Sequence, residues 1–296
     1  MMLNLKTCLI AFSSLLFIAA GANANDARIC TGGEKGNYFY FGSILAKEVK
    51  PAGLNIEVIS TNGSLDNLRK MEAGECDMAV VQSDAWTVYR NSNSNSALDL
   101  ERIGIIFDEY VHLICNKDSG IEDIGDLGKS NVVAIGPNGS GSWTTWQGLV
   151  YADKTQGGDA YSQIQTNALN GSRAINAVVD GTETQCLLYV ASPKTSYMNG
   201  ISELASKTGS LVMAEVVDKD FNDTVDHKGK SIYETAEIDN SWYKGFGYWS
   251  NTDTVKVSAI LFSNVKWAEE NSKDYEIVSD VFQSVSGNVR KSKGME

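Results

Sequence analysis

The sequence predicts an α/β protein of two lobes, each a mainly parallel sheet flanked by helices, with a ligand cleft between them. Short apolar runs of strand length alternate with segments whose apolar residues recur at helical spacing, the pattern of parallel sheets with crossover helices. The order Asn-Gly-Ser turn, helix, glycine stop, strand, serine occurs twice, through Asn62, Gly74 and Ser83 and again through Asn170, Gly181 and Ser192. Polar Gly/Ser loops follow the strands, at the end of a parallel sheet where ligands bind. Two ordinary βαβ units could share the repeat by chance; the α/β class rests on the alternation and stands either way.

The first unit opens on a strand at 27–30, which enters the loop Thr31-Gly32-Gly33-Glu34-Lys35-Gly36-Asn37. Phe41, Ile44, Leu45, Ala46 and Val49 then mark one face of a helix that Pro51 ends. A strand at 56–59 leads to the turn Asn62-Gly63-Ser64. Ser64 is placed to cap the next helix, whose apolar face is Leu65, Leu68 and Met71 and whose stop is Gly74. A buried strand at 77–81 runs into Gln82-Ser83-Asp84, and the polar run 91–96 reads as a surface loop. His112 lies in a further strand pattern with Tyr110, Leu113 and Ile114, where a core histidine is expected.

In the second unit, a strand at 132–135 enters Gly136-Pro137-Asn138-Gly139-Ser140-Gly141-Ser142, and a helix follows over 143–152. Asn170-Gly171-Ser172 opens a helix through Ile175, Val178 and Val179; a strand at 186–190 then ends in Ala191-Ser192. A last strand is expected at 255–262, with helices after Val265. Each Gly/Ser loop that opens a helix offers backbone N–H groups without intrahelical partners, together with the positive end of the helix dipole. Such loops suit a carboxylate or phosphate.

The first 24 residues read as a cleaved secretory signal: Lys6, an apolar run at 8–20, and Ala22-Asn23-Ala24 before the cut. The expected product is periplasmic and begins at Asn25, without an acylated cysteine at its start. Losing Lys6 takes the formal charge from −12 to −13, which argues against nucleic acid or an anionic membrane surface as partner. Cys30, Cys76, Cys115 and Cys186 remain; they can pair in three ways or stay as small buried residues, and their spacing fits no metal motif.

Catalysis finds little support. The two histidines are His112 and His227, the latter in a charged loop, and no GxSxG elbow, SxxK or HExxH occurs. With 37 acidic residues, paired carboxylates carry no signal. We expect no enzyme, no catalytic residue, no metal and no cofactor. TGGEKG has the spacing of neither a P-loop nor a dinucleotide fingerprint. Tyr38 opens a helix directly after a glycine loop and is the aromatic residue expected at the cleft. Tyr40, Trp143, Trp146, Phe246, Tyr248 and Trp249 read as packing residues.

The runs TGGEKGNYFYFGSILAKEV, STNGSLDNLRKMEAGECDMAVVQSDAW and YVHLICNKDSGIEDIGDLGKSNVVAIGPNGSGSWTT resemble the TAXI solute receptors, the extracytoplasmic subunits of one branch of TRAP transporters. The likeness covers most of 29–145 and thins beyond Ser192. It implies a type II periplasmic-binding-protein fold, with one lobe of 25–117 plus 251–296 and a second of 118–250. The crossings are expected near 116–120 and just before the last strand. The resemblance also implies a partner, a membrane permease driven by an ion gradient, and a glutamate-like or 2-oxo dicarboxylate ligand; the receptor itself is expected to be a monomer.

Carried over by position, the ligand-binding residues are Asn37, Tyr38, Asn62, Ser64, Gln82 and Ser83 in one lobe, and Ser140, Gly141, Ser142, Thr144 and Ser192 in the other. Glu34 and Lys35 depart from the family's Gly-rich loop, and Lys35 is expected to favour solvent. Ala191-Ser192 carries no acid, which favours a 2-oxo or 2-hydroxy diacid such as 2-oxoglutarate over an amino acid. The alternatives are the same receptor feeding an ATP-driven importer, a sensor, and, more remotely, a periplasmic enzyme.

Overall fold

Strand β1 (Asp26–Cys30) lies parallel between β2 (Asn55–Ile59) and β3 (Met78–Gln82). Helix α1 (Asn37–Val49) crosses from β1 to β2, and α2 (Ser64–Glu72) from β2 to β3. The computed structural model describes residues 26–226, 229–247 and 250–295. The expected signal at 1–24 and its cut, with His227, Tyr248 and Trp249, lie outside the described residues. Lys50, Pro51 and Ala52 tighten into a single 3-10 turn after α1, because proline lacks the N–H that would continue the helix. The polar run 91–96 begins in the last turn of α3 (Ala85–Ser92) before becoming loop.

A 17-residue strand follows, β4 (Leu100–Asn116), of which the sequence pattern marks only the last part. The second parallel set comprises β5 (Val132–Ala134), β6 (Gln165–Asn167) and β7 (Cys186–Ala191). Its helices are α4 (Gly141–Thr155), α5 (Gly171–Asp180) and α6 (Ser196–Thr208). The short elements β8 (Leu211–Ala214), α7 (Lys219–Asn222) and β9 (Glu234–Ile238) precede a second long strand, β10 (Thr252–Asn264). Helices α8 (Val265–Glu270) and α9 (Ser272–Lys293) close the described chain.

The two parallel sets are joined where the alternation alone suggests separate sheets. β10 runs antiparallel between β3 and β4, and β4 runs antiparallel to β7 and β8, which gives the order β2-β1-β3-β10-β4-β7-β5-β6. The result is an α/β fold with one mixed sheet flanked by helices. The N-terminal stretch of β4 pairs with β10 near the first set, and its C-terminal stretch pairs with β7 in the second.

Packing changes sides within the same strands. Ile106, Phe107, Ala259 and Leu261 pack with α1 and α9, whereas Val111, Leu113, Val255 and Val257 pack with α4. Each half has apolar side chains on both faces of its sheet: α2 and α3 cover the other face of the first half, α5 and α6 that of the second. The 116–120 segment comes after this change of sides, at the end of β4. Burying one such Leu, Ile or Phe side chain contributes roughly 1.5–3 kcal/mol.

Of the three possible connectivities, the structure has Cys30–Cys76 and Cys115–Cys186, one disulfide in each half. The second joins directly opposed residues of β4 and β7. Among the described residues no helix is long and apolar enough to cross a membrane, and no cluster of His, Cys, Asp and Glu could hold a metal ion.

Candidate functional site

A cavity of about 540 Å³ opens between the two halves at the C-terminal ends of the parallel strands. Helix starts converge on it: Gly36, Asn37 and Tyr38 at α1, Gly63 and Ser64 at α2, Gly141 at α4, and Thr195 and Ser196 at α6. Side chains already occupy two of these ends. Ser140 accepts the Trp143 N–H at 3.3 Å on α4, and Thr195 accepts the Met198 N–H at 3.2 Å on α6. The other two, α1 and α2, follow glycines and have no side-chain cap. Their first N–H groups and dipole ends are therefore available to an anion.

Of the residues carried over from the resemblance, Asn37, Tyr38, Ser64, Gln82, Gly141 and Ser192 line this cavity. Asn37 Nδ2 donates to Ser192 Oγ at 2.9 Å, joining the two halves. Ser64, placed by sequence as the cap of α2, is instead its first helical residue. Gly63 holds the cap position at φ 123°, and Ser64 Oγ accepts the Gln82 N–H at 3.0 Å. Glycine suits that backbone, and a Cβ there would sit 3.4 Å from the Gly139 carbonyl across the cleft. Gln82 is 1% exposed, and its Nε2 has no hydrogen-bond partner. An orphaned buried donor in a cavity wall costs about 1–3 kcal/mol unless a ligand or water accepts from it.

The other carried-over residues lie outside the cavity lining. Asn62 is exposed and donates to Asp66, beside the α2 start. Ser83 faces away from Gln82, accepts the Ser258 N–H at 3.1 Å and donates to the Ile232 carbonyl. Ser142 accepts the Val190 N–H at 3.1 Å, which ties α4 to β7. Thr144 is fully buried and donates to the Ser140 carbonyl at 2.8 Å. Ser140, as the α4 cap, shapes the loop without lining the cavity.

The structure adds Glu109, Lys194 and Lys293, which carried no local sequence signal, to the cavity. Glu109 is the one acid in the described lining, and the Tyr38 hydroxyl donates to its Oε2 at 2.7 Å. Burial pushes the Glu109 carboxyl up to about 7 against the lowering effect of the Tyr38 hydrogen bond. Burial, followed by the Glu109 charge, raises Tyr38 well above the ordinary tyrosine value. Lys35, Lys194 and Lys293 supply positive charge along the lining; Lys35 is exposed to solvent and also at the cavity.

Lys194 has the left-handed backbone φ of 59°, and its loop is held from behind. Its N–H donates to Tyr243 Oη at 3.0 Å, and that oxygen lies 3.2 Å from His112 Nε2. His112 Nδ1 lies 3.2 Å from the Tyr189 carbonyl, which can only accept, so Nδ1 carries the proton and Nε2 accepts from Tyr243. Burial holds this histidine down near 4 and hence neutral, in keeping with a core residue.

A second buried carboxylate spans the halves. Asp84 precedes α3 but does not cap it; its Oδ2 accepts from the Thr145 hydroxyl at 2.7 Å and the Tyr233 hydroxyl at 3.4 Å. Its Oδ1 has no partner, and burial raises it to about 6. Trp143 packs against the cores of both halves.

Comparison with known proteins places this geometry in context. Residues 29–287 match the profile of the NMT1-like family. The chain is similar in structure to a putative periplasmic sulfonate-binding protein, SsuA, of a sulfonate ABC transporter from Methylobacillus flagellatus KT. The TM-score is 0.53 and the identity 11%, over 89% of this chain and 68% of that one. A protein from Bordetella bronchiseptica RB50 matches at TM-score 0.50 and 12% identity, over 90% and 71% of the two chains. The substrate-binding protein of a methionine transporter from Streptococcus pneumoniae gives 0.47 and 13%, over 91% and 93%. At these identities the likeness of the first two supports the α/β architecture and nothing finer.

Proposed function

The chain belongs to the NMT1-like family, and from that premise and its cavity we propose that it is a periplasmic solute receptor, not an enzyme. It binds a small organic anion between lobes 25–117 with 251–296 and 118–250, and delivers it to a membrane permease. The observation that carries this reading is the convergence of the uncapped starts of α1 and α2 with the unpartnered Gln82 Nε2 on one cavity. Several N–H donors and two helix dipoles aimed at one volume bind negative charge without covalent chemistry. Lys35, Lys194 and Lys293 add to the positive field.

On this reading the ligand is a dicarboxylate of glutamate or 2-oxoglutarate size, and the partner is the ion-gradient-driven TRAP permease that the TAXI-like motifs imply. The receptor works as a monomer and closes over its ligand. Contacts made to both lobes would shift an open-to-closed equilibrium by their differential energy. One finding favours a second reading, in which the partner is an ATP-driven importer: the M. flagellatus protein is the putative periplasmic sulfonate-binding protein of a sulfonate ABC transporter. In that case the anion is a sulfonate.

A thermal-shift screen of the protein from Asn25 onward against dicarboxylates, amino acids, alkanesulfonates and sugars tests both readings. A ligand at a hundredfold excess over its Kd adds about 2.7 kcal/mol, enough for a clear rise in Tm. Stabilisation by diacids supports the first reading and by sulfonates the second. No response to any anion counts against both.

A further inference from the structure

Glu109 is the one acid in the described lining of a cavity to which two uncapped helix starts and three lysines bring N–H donors and positive charge. It extends from the middle of β4, opposite Val257 of β10, and Tyr38 of α1 donates to its Oε2 at 2.7 Å. Among the described residues its other oxygen has no hydrogen bond within the protein. The groups around it are Asp108 on its own strand, Asp84 at the head of α3, Tyr38, and Tyr189 of β7. No cation pairs with it. Lys256 of β10 is taken by Asp108 at 2.7 Å and Glu234 at 3.4 Å. Lys293 of α9 lies over the Tyr40 ring at 4.2 Å, and Lys194 over the Trp242 ring at 5.9 Å. Lys35 sits at the solvent-exposed edge.

We propose that Glu109 determines specificity by accepting a hydrogen bond from the amino or hydroxyl group on the carbon next to the ligand's carboxylate, so that 2-amino and 2-hydroxy acids bind in preference to 2-oxo acids. This inference rests on the solute-receptor reading and refines it. An ionised carboxylate can only accept. The ligand carboxylate is held at the α1 and α2 starts, leaving its second carbon to meet Glu109. An ammonium or hydroxyl there forms a charge-assisted hydrogen bond, whereas a keto oxygen sets two acceptors against each other. On this proposal the acid comes from β4 instead of Ala191-Ser192, so of the 2-oxo and 2-hydroxy diacids expected from the sequence the hydroxy acid keeps its place and the oxo acid yields to the amino acid.

The pH dependence has a definite sign. Burial, aided by the charges of Asp84 and Asp108, pushes Glu109 up to about 7. Above that pH it is an acceptor and discriminates; below it, the protonated carboxyl can donate to a keto oxygen and discrimination fades. Calorimetry with glutamate, 2-hydroxyglutarate and 2-oxoglutarate, at pH 8 and pH 6, tests this in the wild-type protein and in Glu109→Gln. At pH 8 the amino or hydroxy acid should bind about 10-fold or more tighter than the oxo acid, as expected for one charged hydrogen bond. That ratio should shrink at pH 6 and in Glu109→Gln. A preference shared by both donors marks hydrogen donation; one confined to glutamate marks pairing with its ammonium.

Equal or tighter binding of 2-oxoglutarate at pH 8 overturns the role of Glu109 and leaves the receptor reading intact. So does a ratio that Glu109→Gln leaves unchanged. Failure of all three diacids to bind at either pH overturns the dicarboxylate reading itself. The wild-type pH comparison decides the matter even if Glu109→Gln does not fold.

Discussion

Asn37 and Ser192, 155 positions apart in the chain, share a 2.9 Å hydrogen bond across the mouth of the cavity. One comes from the start of α1 and the other from the loop after β7, so the bond exists only while the two halves are together. A bond of this kind contributes about 0.5–1.5 kcal/mol. Ser192→Ala should therefore weaken ligand binding roughly 2- to 12-fold through faster dissociation, with Tm nearly unchanged. Stopped-flow kinetics and a melting curve check both parts. A slower association with unchanged dissociation contradicts it.

Asp84 gives a pH signature. Its folded-state value, about 6, lies above the usual aspartate range because burial penalises the charge. The folded chain thus holds an extra proton over this interval, a contribution fully present below about pH 4 and lost as pH rises through about 6. Glu109, at about 7, extends the loss upward. Stability should fall between pH 4 and pH 8, and Asp84→Asn should remove about 2–3 kcal/mol of that fall. Parallel profiles for the two proteins would show that Asp84 is solvated.

Gly141 tests how tightly the halves meet. A Cβ at this position would lie 2.9 Å from Gln82 Oε1, on the opposite wall of the cleft. Gly141→Ala keeps α4 but pushes the Gln82 amide away or holds the cleft ajar. Ligand affinity should drop about 10-fold or more for a displaced buried amide, while thermal stability without ligand stays within about 0.5 kcal/mol. An unaltered Kd shows that Gln82 yields freely.

The disulfides brace each half separately. Cys30–Cys76 closes a separation of 46 residues and Cys115–Cys186 one of 71. Replacing either pair by alanine should cost about 2–5 kcal/mol, read as a lowered denaturant midpoint. Reduction should reproduce the sum. If a reducing agent leaves the midpoint where it was, the thiols were not paired.

Much of the architecture is legible in local patterns. Leu65, Leu68 and Met71 announce α2 by spacing alone, and all three are buried. The Gly/Ser loops likewise locate the helix starts around the cavity. What local patterns miss is what depends on distant partners. Asp108 and Glu109 interrupt the apolar run of β4, so only the part of the strand from Tyr110 onward is legible. Glu109 looks like any other acid until Tyr38, 71 residues away, folds against it. Asn67, within α2, is not singled out by the apolar spacing of its helix. It is fully buried, with Nδ2 donating to the Thr31 and Val80 carbonyls at 2.6 and 2.7 Å. Repetition also misleads, since the first Asn-Gly-Ser turn reaches the cavity through Gly63 and Ser64 and the second does not.

The continuity of β4 and β10 has a mechanical consequence. Two loops linking two rigid bodies act as swivels and permit rotation in many directions. Here the links are neighbouring strands, hydrogen-bonded to each other from Tyr110 and Lys256 to Leu100 and Asn264. Such a ribbon is stiff against stretching and against shear in its own plane but compliant to flexing out of it, like a leaf spring. The register irregularities beside Ala259 and Leu261 soften it locally. On the proposed closure, such a ribbon would favour one rocking direction and return the same two walls to the same alignment after each cycle.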